Sequence, residues 1–94
     1  MIEARFKPGD TVRVRQAHPL GHIRTPFYIR GHSGVIERLC GAFGNPEELA
    51  QMRSGEPKQP LYRVRFLQKE VWPDYQGSGE DVLEVEIFQH WLER

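Results

Sequence analysis

Apolar and polar residues alternate in several short segments of this chain, and the alternation predicts β-strands. It is clearest in LYRVRF (residues 61–66) and VLEVEIF (residues 82–88), where every second residue is large and apolar. TVRV (residues 11–14) follows the same pattern after a Pro-Gly turn, and HSGVIERL (residues 32–39) enters a further strand through a glycine. A period of two places the apolar side chains of each segment on one face, as in a half-buried strand.

The outward positions of the two clearest strands carry opposite charges. Arg63 and Arg65 alternate with the apolar residues of the first, and Glu84 and Glu86 with those of the second. Facing pairs of opposite charge stabilise neighbouring strands by a few tenths of a kcal/mol, whereas like charges repel. We therefore predict that these two strands are neighbours.

One segment, NPEELAQMRS (residues 45–54), predicts a short helix. Asn45 is a favourable N-cap, and Glu48 stands three residues later, which completes a capping-box pattern. A helix of two to three turns is marginal alone, so it needs anchors. Leu49 and Met52 are the predicted anchors onto the rest of the fold.

These elements predict the all-β class and, more narrowly, a small SH3-like β-barrel formed by residues 1–94 as a single domain. Nine glycines and seven prolines divide the chain into short pieces, and helices do not alternate with strands. The helical insertion at about residues 45–54 interrupts the strands. Trp91 and Leu92, in the C-terminal QHWLER, are predicted to close one end of the barrel.

Charge and cysteine content narrow the possible functions. The net charge is zero, but residues 1–38 hold seven Lys/Arg against three acids, and residues 39–94 hold six against ten. This asymmetry fits either a positive side of the surface or charges that pair within the fold. The single cysteine, Cys40, excludes an internal disulfide and is predicted to be a small buried apolar residue. No apolar run has the length of a membrane span or signal peptide, so we expect a cytoplasmic protein.

No catalytic set is evident in the sequence. The four histidines lack the spacing of a metal site, no serine lies in a nucleophile elbow, and no glycine-rich phosphate loop is present. Arg24 differs from the other arginines because it lies between His22 and Pro26 in a loop stiffened by proline. Its guanidinium could bind an anion at little entropic cost, but most exposed loop arginines form only weak surface ion pairs.

A resemblance to a known family gives Arg24 a more specific role. PLGHIRTPFYIRG (residues 19–31) has the pattern Pro-x-Gly-His-x-Arg-x-Pro-x-Tyr-x-Arg-Gly, and NPEELA, PLYRVRF, EVW and EIFQHWLE follow. From Phe6 onward, the chain resembles the C-terminal SH3-like domain of the nitrile hydratase β-subunit. In that family the α-subunit carries cobalt or iron on a loop with oxidised cysteines, and β-subunit arginines hydrogen-bond those oxygens.

The resemblance implies that Arg24 binds an oxidised cysteine of a metal-bearing α-like subunit. His22, Tyr28 and Arg30 would support the loop or contact the partner. Cobalt, with iron as the alternative, would lie in the α-like subunit, and this chain would hold no metal and be inactive alone. The chain begins almost at the barrel, which implies a second β-like subunit with the N-terminal portion. Toyocamycin nitrile hydratase and thiocyanate hydrolase are such three-subunit enzymes, and this short chain more closely resembles the smallest subunit of the toyocamycin enzyme.

Two other functions are compatible with the sequence. The strand–loop–strand GDTVRV…GHSGVIERL is also typical of SH3-like modules that bind RNA, although the net charge of zero and the acidic second half argue against nucleic acid. Some activators or metallochaperones of nitrile hydratase or thiocyanate hydrolase share the same barrel. Such a protein would leave the mature complex, whereas a subunit would remain in it.

Overall fold

The computed structural model describes residues 2–16, 25–45, 49, 52–54 and 56–94. Within them, most regular structure is β-sheet, as predicted for the all-β class. The strands are β1 (Thr11–Val14), β2 (Ser33–Phe43), β3 (Gln59–Leu67), β4 (Val82–Phe88) and β5 (Leu92–Glu93). One α-helix, α1 (Gln68–Val71), and two 3-10 helices, Phe27–Ile29 and Gln89–Trp91, complete the described elements.

The five strands form one antiparallel sheet in the order β4-β3-β2-β1-β5. The predicted neighbours β3 and β4 are paired, with Arg63 opposite Glu86 and Arg65 opposite Glu84. Arg63 Nη2 lies 3.1 Å from Glu86 Oε2. The prediction from alternating charge is therefore confirmed.

The core lies on the face of the sheet that the alternation predicts. Tyr62, Val64 and Phe66 of β3 are fully buried, as are both valines of β1. On β4 only Ile87 is fully buried, while Leu83 and Val85 are half-buried and pack against the core. The core is completed by residues from the loops and the C-terminal segment, namely Phe6, Ile29, Val71, Trp91 and Leu92.

Strand β2 is longer and less regular than its sequence suggests. Its pairing with β3 shifts register between Ile36 and Arg38 and again between Leu39 and Gly41. Cys40 lies at the second shift and is half-exposed, so its predicted burial is wrong. The reason is that a bulge breaks the period of two and turns the side chain away from the core. Partial burial, and then the Glu86 carboxylate, raise the pKa of the Cys40 thiol.

The predicted helical insertion at residues 45–54 falls largely outside the described residues. Leu49 is helical, and its N–H donates to the carbonyl oxygen of Asn45 at 3.0 Å. The predicted anchoring is wrong for Met52, whose side chain is 96% exposed and whose φ is +60°. A left-handed backbone turns this residue out of a helix and away from the core.

Helix α1 lies in a connection that the sequence analysis treated as turns only. It begins directly after β3 and places Val71 in the core. Four residues are too few for a sequence pattern to indicate a helix, so the burial of Val71 accounts for its position. No helix in the described part of the chain is long and apolar enough to cross a membrane.

A buried glutamine joins the N-terminal segment to the core. Gln89 Oε1 accepts hydrogen bonds from Tyr62 Oη at 2.7 Å and from the N–H of Arg5 at 2.8 Å. Gln89 Nε2 donates to the carbonyl oxygen of Glu3 at 2.9 Å. Tyr62 Oη also accepts from the N–H of Phe6 at 3.2 Å. Residues 3–6 are therefore held against the sheet by one polar network, whose two bonds to Tyr62 Oη are buried.

Candidate functional site

Of the four predicted site residues, two lie in the part of the chain that the structure describes. His22 and Arg24 lie outside the described residues, so their predicted roles stay predictions. Tyr28 and Arg30 are described, and both lie in the segment that follows Arg24 in the chain. The geometry of this segment shows how the C-terminal end of the loop is attached to the barrel.

Arg30 attaches this end of the loop to the core. Its Nη2 donates to the carbonyl oxygen of Thr25 at 2.8 Å, and its guanidinium carbon lies 4.8 Å from the centroid of the Trp91 ring. Thr25 and Trp91 are both buried. A guanidinium stacked on an indole while it binds a carbonyl oxygen has little freedom to turn. Arg30 is thus fixed against Thr25 and Trp91; its predicted role, to support the loop or to contact the partner, stays a prediction.

Trp91 also contacts the segment that precedes the loop. The guanidinium carbon of Arg15 lies 5.9 Å from the Trp91 ring centroid, and Arg15 Nη1 donates to the carbonyl oxygen of His90 at 3.0 Å. The Arg15 N–H donates to the carbonyl oxygen of Trp91 at 2.9 Å. Arginines on both sides of residues 17–24 therefore lie against one indole. The sequence predicted a buried Trp91 but not this second role.

The backbone after the loop is fixed by a short ladder. The N–H of Gly31 donates to the carbonyl oxygen of Val14 at 2.8 Å. The N–H of Val14 donates to the carbonyl oxygen of His32 at 2.9 Å. Gly31 has a φ of +85°, and a Cβ there would collide with the Gln16 side-chain oxygen. The positive φ favours glycine and explains its place in the Arg-Gly step of the motif, whereas the end of the Gln16 side chain can move aside.

Tyr28 forms part of an exposed aromatic pair near the same loop. Its ring centroid lies 5.0 Å from that of Trp72, with 31° between the ring planes. Tyr28 is 40% exposed and Trp72 is 38% exposed. Aromatic side chains that remain open to solvent are enriched in protein-contact surfaces. Contact between Tyr28 and a partner stays a prediction.

The described residues were compared with the ligand sets that hold metal ions. They contain no group of three or more His, Cys, Asp or Glu side chains that could hold a metal ion. The arginines beside residues 17–24 donate to carbonyl oxygens of this chain, Arg30 to Thr25 and Arg15 to His90. They fix the backbone on both sides of the segment that contains Arg24.

Comparisons with known proteins identify the family. The family model described as "Nitrile hydratase beta subunit, C-terminal" matches residues 1–94. The chain belongs to this family. The resemblance inferred from the sequence motifs is thereby confirmed, while the narrower similarity to toyocamycin nitrile hydratase stays a prediction.

Individual relatives agree with this assignment. The chain is 34% identical to the nitrile hydratase subunit beta of Pseudomonas chlororaphis over 95% of its own length and 40% of that protein. It is 41% identical to the cobalt-containing nitrile hydratase subunit beta of Pseudonocardia thermophila, over 72% of its own length and 29% of the relative. The chain thus spans less than half the length of these nitrile hydratase β-subunits.

A thiocyanate hydrolase is similar over more of its length. The chain is 34% identical to thiocyanate hydrolase subunit alpha of Thiobacillus thioparus, over 98% of its own length and 73% of that subunit. The solved structure of the recombinant apo-enzyme from the same organism superposes with a TM-score of 0.91, at 34% identity. That superposition covers 98% of this chain and 77% of the other.

Proposed function

We propose that this family member is a metal-free β-type subunit of a nitrile hydratase, the enzyme that adds water to a nitrile to give an amide. It would form one domain over residues 1–94, pack on a metal-bearing α-type subunit, and be inactive alone. The observation that carries the proposal is the family match along the whole chain. A second β-like subunit would supply the N-terminal portion that the longer relatives contain.

Arg24 is the residue proposed to act at the shared site. Sulfenate and sulfinate oxygens in a closed interface are small anions that lose several kcal/mol if they are left without donors. A guanidinium offers them several N–H groups in a planar fork. The contacts of Arg30 and Arg15 with Trp91 support this role, because they anchor the chain on both sides of residues 17–24.

The metal would belong to the α-type subunit. Cobalt, with iron as the alternative, would act there as a Lewis acid toward the nitrile. This chain would bind and orient the oxidised ligands and exclude water from the interface. His22 would support the loop, and Tyr28 would contact the partner.

The test is co-expression of this chain with the α-type and β-type genes that neighbour it, followed by purification through a tag on this chain. We expect stoichiometric retention of the α-type subunit, bound metal, and nitrile-to-amide turnover. Loss of the α-type subunit from the mature complex would favour an activator instead. A salt-dependent gel shift with tRNA would favour an RNA-binding module.

Substitution of Arg24 tests its part in the reaction. Arg24→Ala and Arg24→Lys should leave the complex assembled and lower turnover by roughly 10- to 100-fold, since charged hydrogen bonds are worth about 1.5–3 kcal/mol. Arg53→Ala, at an exposed arginine elsewhere in the chain, is the control and should retain full activity. Wild-type turnover by the Arg24 variants would exclude this role.

A second candidate function is that of a thiocyanate hydrolase subunit. It is favoured by the similarity that covers 98% of this chain and 73% of thiocyanate hydrolase subunit alpha. The purified complex should be offered thiocyanate and a nitrile in parallel assays. Consumption of thiocyanate without hydration of the nitrile would support this candidate.

A further inference from the structure

The aromatic pair of Tyr28 and Trp72 joins two distant parts of the chain at the surface. Tyr28 lies in the 3-10 helix before β2, and Trp72 directly follows α1 in the connection between β3 and β4. The tilted contact of the two rings, with 5.0 Å between their centroids, covers one side of each ring. More than a third of each residue stays exposed, so flat aromatic surface remains open to solvent.

The segment that carries Trp72 is acidic. Residues 68–81 hold four acidic residues and one lysine. Glu70 lies in α1, two residues before Trp72. Asp74 lies in the turn that the N–H of Tyr75 closes by donating to the carbonyl oxygen of Trp72 at 3.2 Å. Glu70 and Asp74 are exposed, and neither forms an ion pair with a described side chain, so net negative charge lies beside the indole.

The chain itself shows which side chain covers its other exposed ring faces. Among the described residues, four guanidinium carbons lie 4.8–5.9 Å from aromatic ring centroids: those of Arg5 and Arg94 at Phe6, and those of Arg15 and Arg30 at Trp91. Both of these rings are buried. No described arginine or lysine covers Tyr28 or Trp72, and both remain exposed. A planar guanidinium fits a flat ring better than the compact ammonium of lysine does.

The open shape of this surface favours a protein segment over a small cation. Small ligands are held in clefts that bury most of their surface, whereas two exposed rings beside two carboxylates provide no such enclosure. Arginine and aromatic side chains are enriched where proteins meet, and opposite charges steer the two surfaces together. The carboxylates of Glu70 and Asp74 therefore select a basic segment, and the rings select arginine within it.

We propose that Tyr28 and Trp72, together with the carboxylates of Glu70 and Asp74, dock an arginine from a basic segment of another polypeptide. The guanidinium stacks on the open side of the ring pair, and the carboxylates hold its charge there. This inference goes beyond the proposed function, because it depends only on these four residues and is the same whichever reaction the assembled enzyme catalyses.

Nuclear magnetic resonance of the purified chain, titrated with short peptides, tests the proposal. The probe is acetyl-Gly-Arg-Gly-Arg-Gly-amide, and two matched peptides carry citrulline or lysine in place of both arginines. Because one stacked side chain gives weak binding, each peptide is added to about 10 mM. The chain has two tryptophans, so the indole N–H of the buried Trp91 is an internal control for that of Trp72.

We expect the arginine peptide to shift the signals of the Trp72 indole and the Tyr28 ring until they saturate, and to leave the Trp91 signal unchanged. Citrulline is planar but uncharged, and lysine is charged but not planar, so each matched peptide should bind about fivefold more weakly. No shift at Trp72, an equal shift at Trp91, or equal binding of either matched peptide would overturn the proposal. Shifts of the same signals with protein concentration alone would indicate a second copy of this chain as the partner, and would also overturn it.

Substitutions test the rings and the carboxylates separately. Trp72→Leu should weaken binding of the arginine peptide about fivefold, as measured from the Tyr28 ring signals. Glu70→Gln combined with Asp74→Asn should weaken it about threefold at low salt, and added salt should remove that difference. Glu56→Gln, at an exposed glutamate outside residues 68–81, is the control and should bind like wild type. Unchanged affinity in either test variant would contradict the assignment.

Discussion

The buried hydroxyl of Tyr62 is predicted to contribute strongly to the free energy of unfolding. The substitution Tyr62→Phe removes this hydroxyl and keeps the ring. The substitution removes the donor to Gln89 Oε1 at 2.7 Å and the acceptor for the N–H of Phe6 at 3.2 Å. Gln89 Oε1 keeps the N–H of Arg5, but the N–H of Phe6 is left buried without that partner. Loss of one net hydrogen bond plus an unsatisfied donor should cost about 2 kcal/mol. For a domain of this size, the melting temperature should fall by about 10 °C.

Urea unfolding of the purified chain, followed by tryptophan fluorescence, measures this cost. Tyr28→Phe is the control, because that tyrosine is half-exposed and should change stability little. Gln89→Leu should also destabilise, and the double variant should lose about 1 kcal/mol less than the sum of the two, since they share one hydrogen bond. A Tyr62→Phe variant within about 0.5 kcal/mol of wild type would refute the assigned network.

Two further predictions concern Arg30 and Glu84. Arg30→Ala should lower the free energy of unfolding by about 1–2 kcal/mol and speed amide exchange near Thr25, because it removes the bond to the Thr25 carbonyl and the stack on Trp91; unchanged exchange would contradict the anchoring. A hydrogen bond with Glu37, and then burial, raise the pKa of Glu84. The folded state therefore binds more protons than the unfolded state just above the ordinary glutamate pKa, so stability falls as pH rises through the raised pKa. Glu84→Gln should flatten that decline in urea unfolding measured as the pH rises above the ordinary glutamate pKa, and an unchanged slope would count against the carboxyl pair.

The candidate site could be predicted only in part. The spacing of Pro, Gly, His and Arg in residues 19–31 is local, so it identified Arg24 and His22 as candidates without any fold. The contact between Arg30 and Trp91 could not be found this way, since the two residues come from opposite parts of the chain. The motif marks Arg30 as a candidate, but only the fold places the C-terminal 3-10 helix and its Trp91 beside it.

The sequence by itself determined which face of β1, β3 and β4 is turned to the core and that β3 is paired with β4. Alternation placed Tyr62, Val64 and Phe66 together, and opposite charges paired β3 with β4. Both follow from local strand geometry, because successive side chains of a strand point to opposite faces of the sheet.

Only the tertiary structure decided where those faces are covered. Cys40 was expected in the core, but a bulge turns it outward, and Leu39 lies on the core face without full cover. Glutamine is usually a surface residue, but Gln89 is buried because the backbone of the N-terminal segment supplies hydrogen-bond partners for its side chain. Burial depends on segments that are distant along the chain and close in space, and no local pattern carries that information.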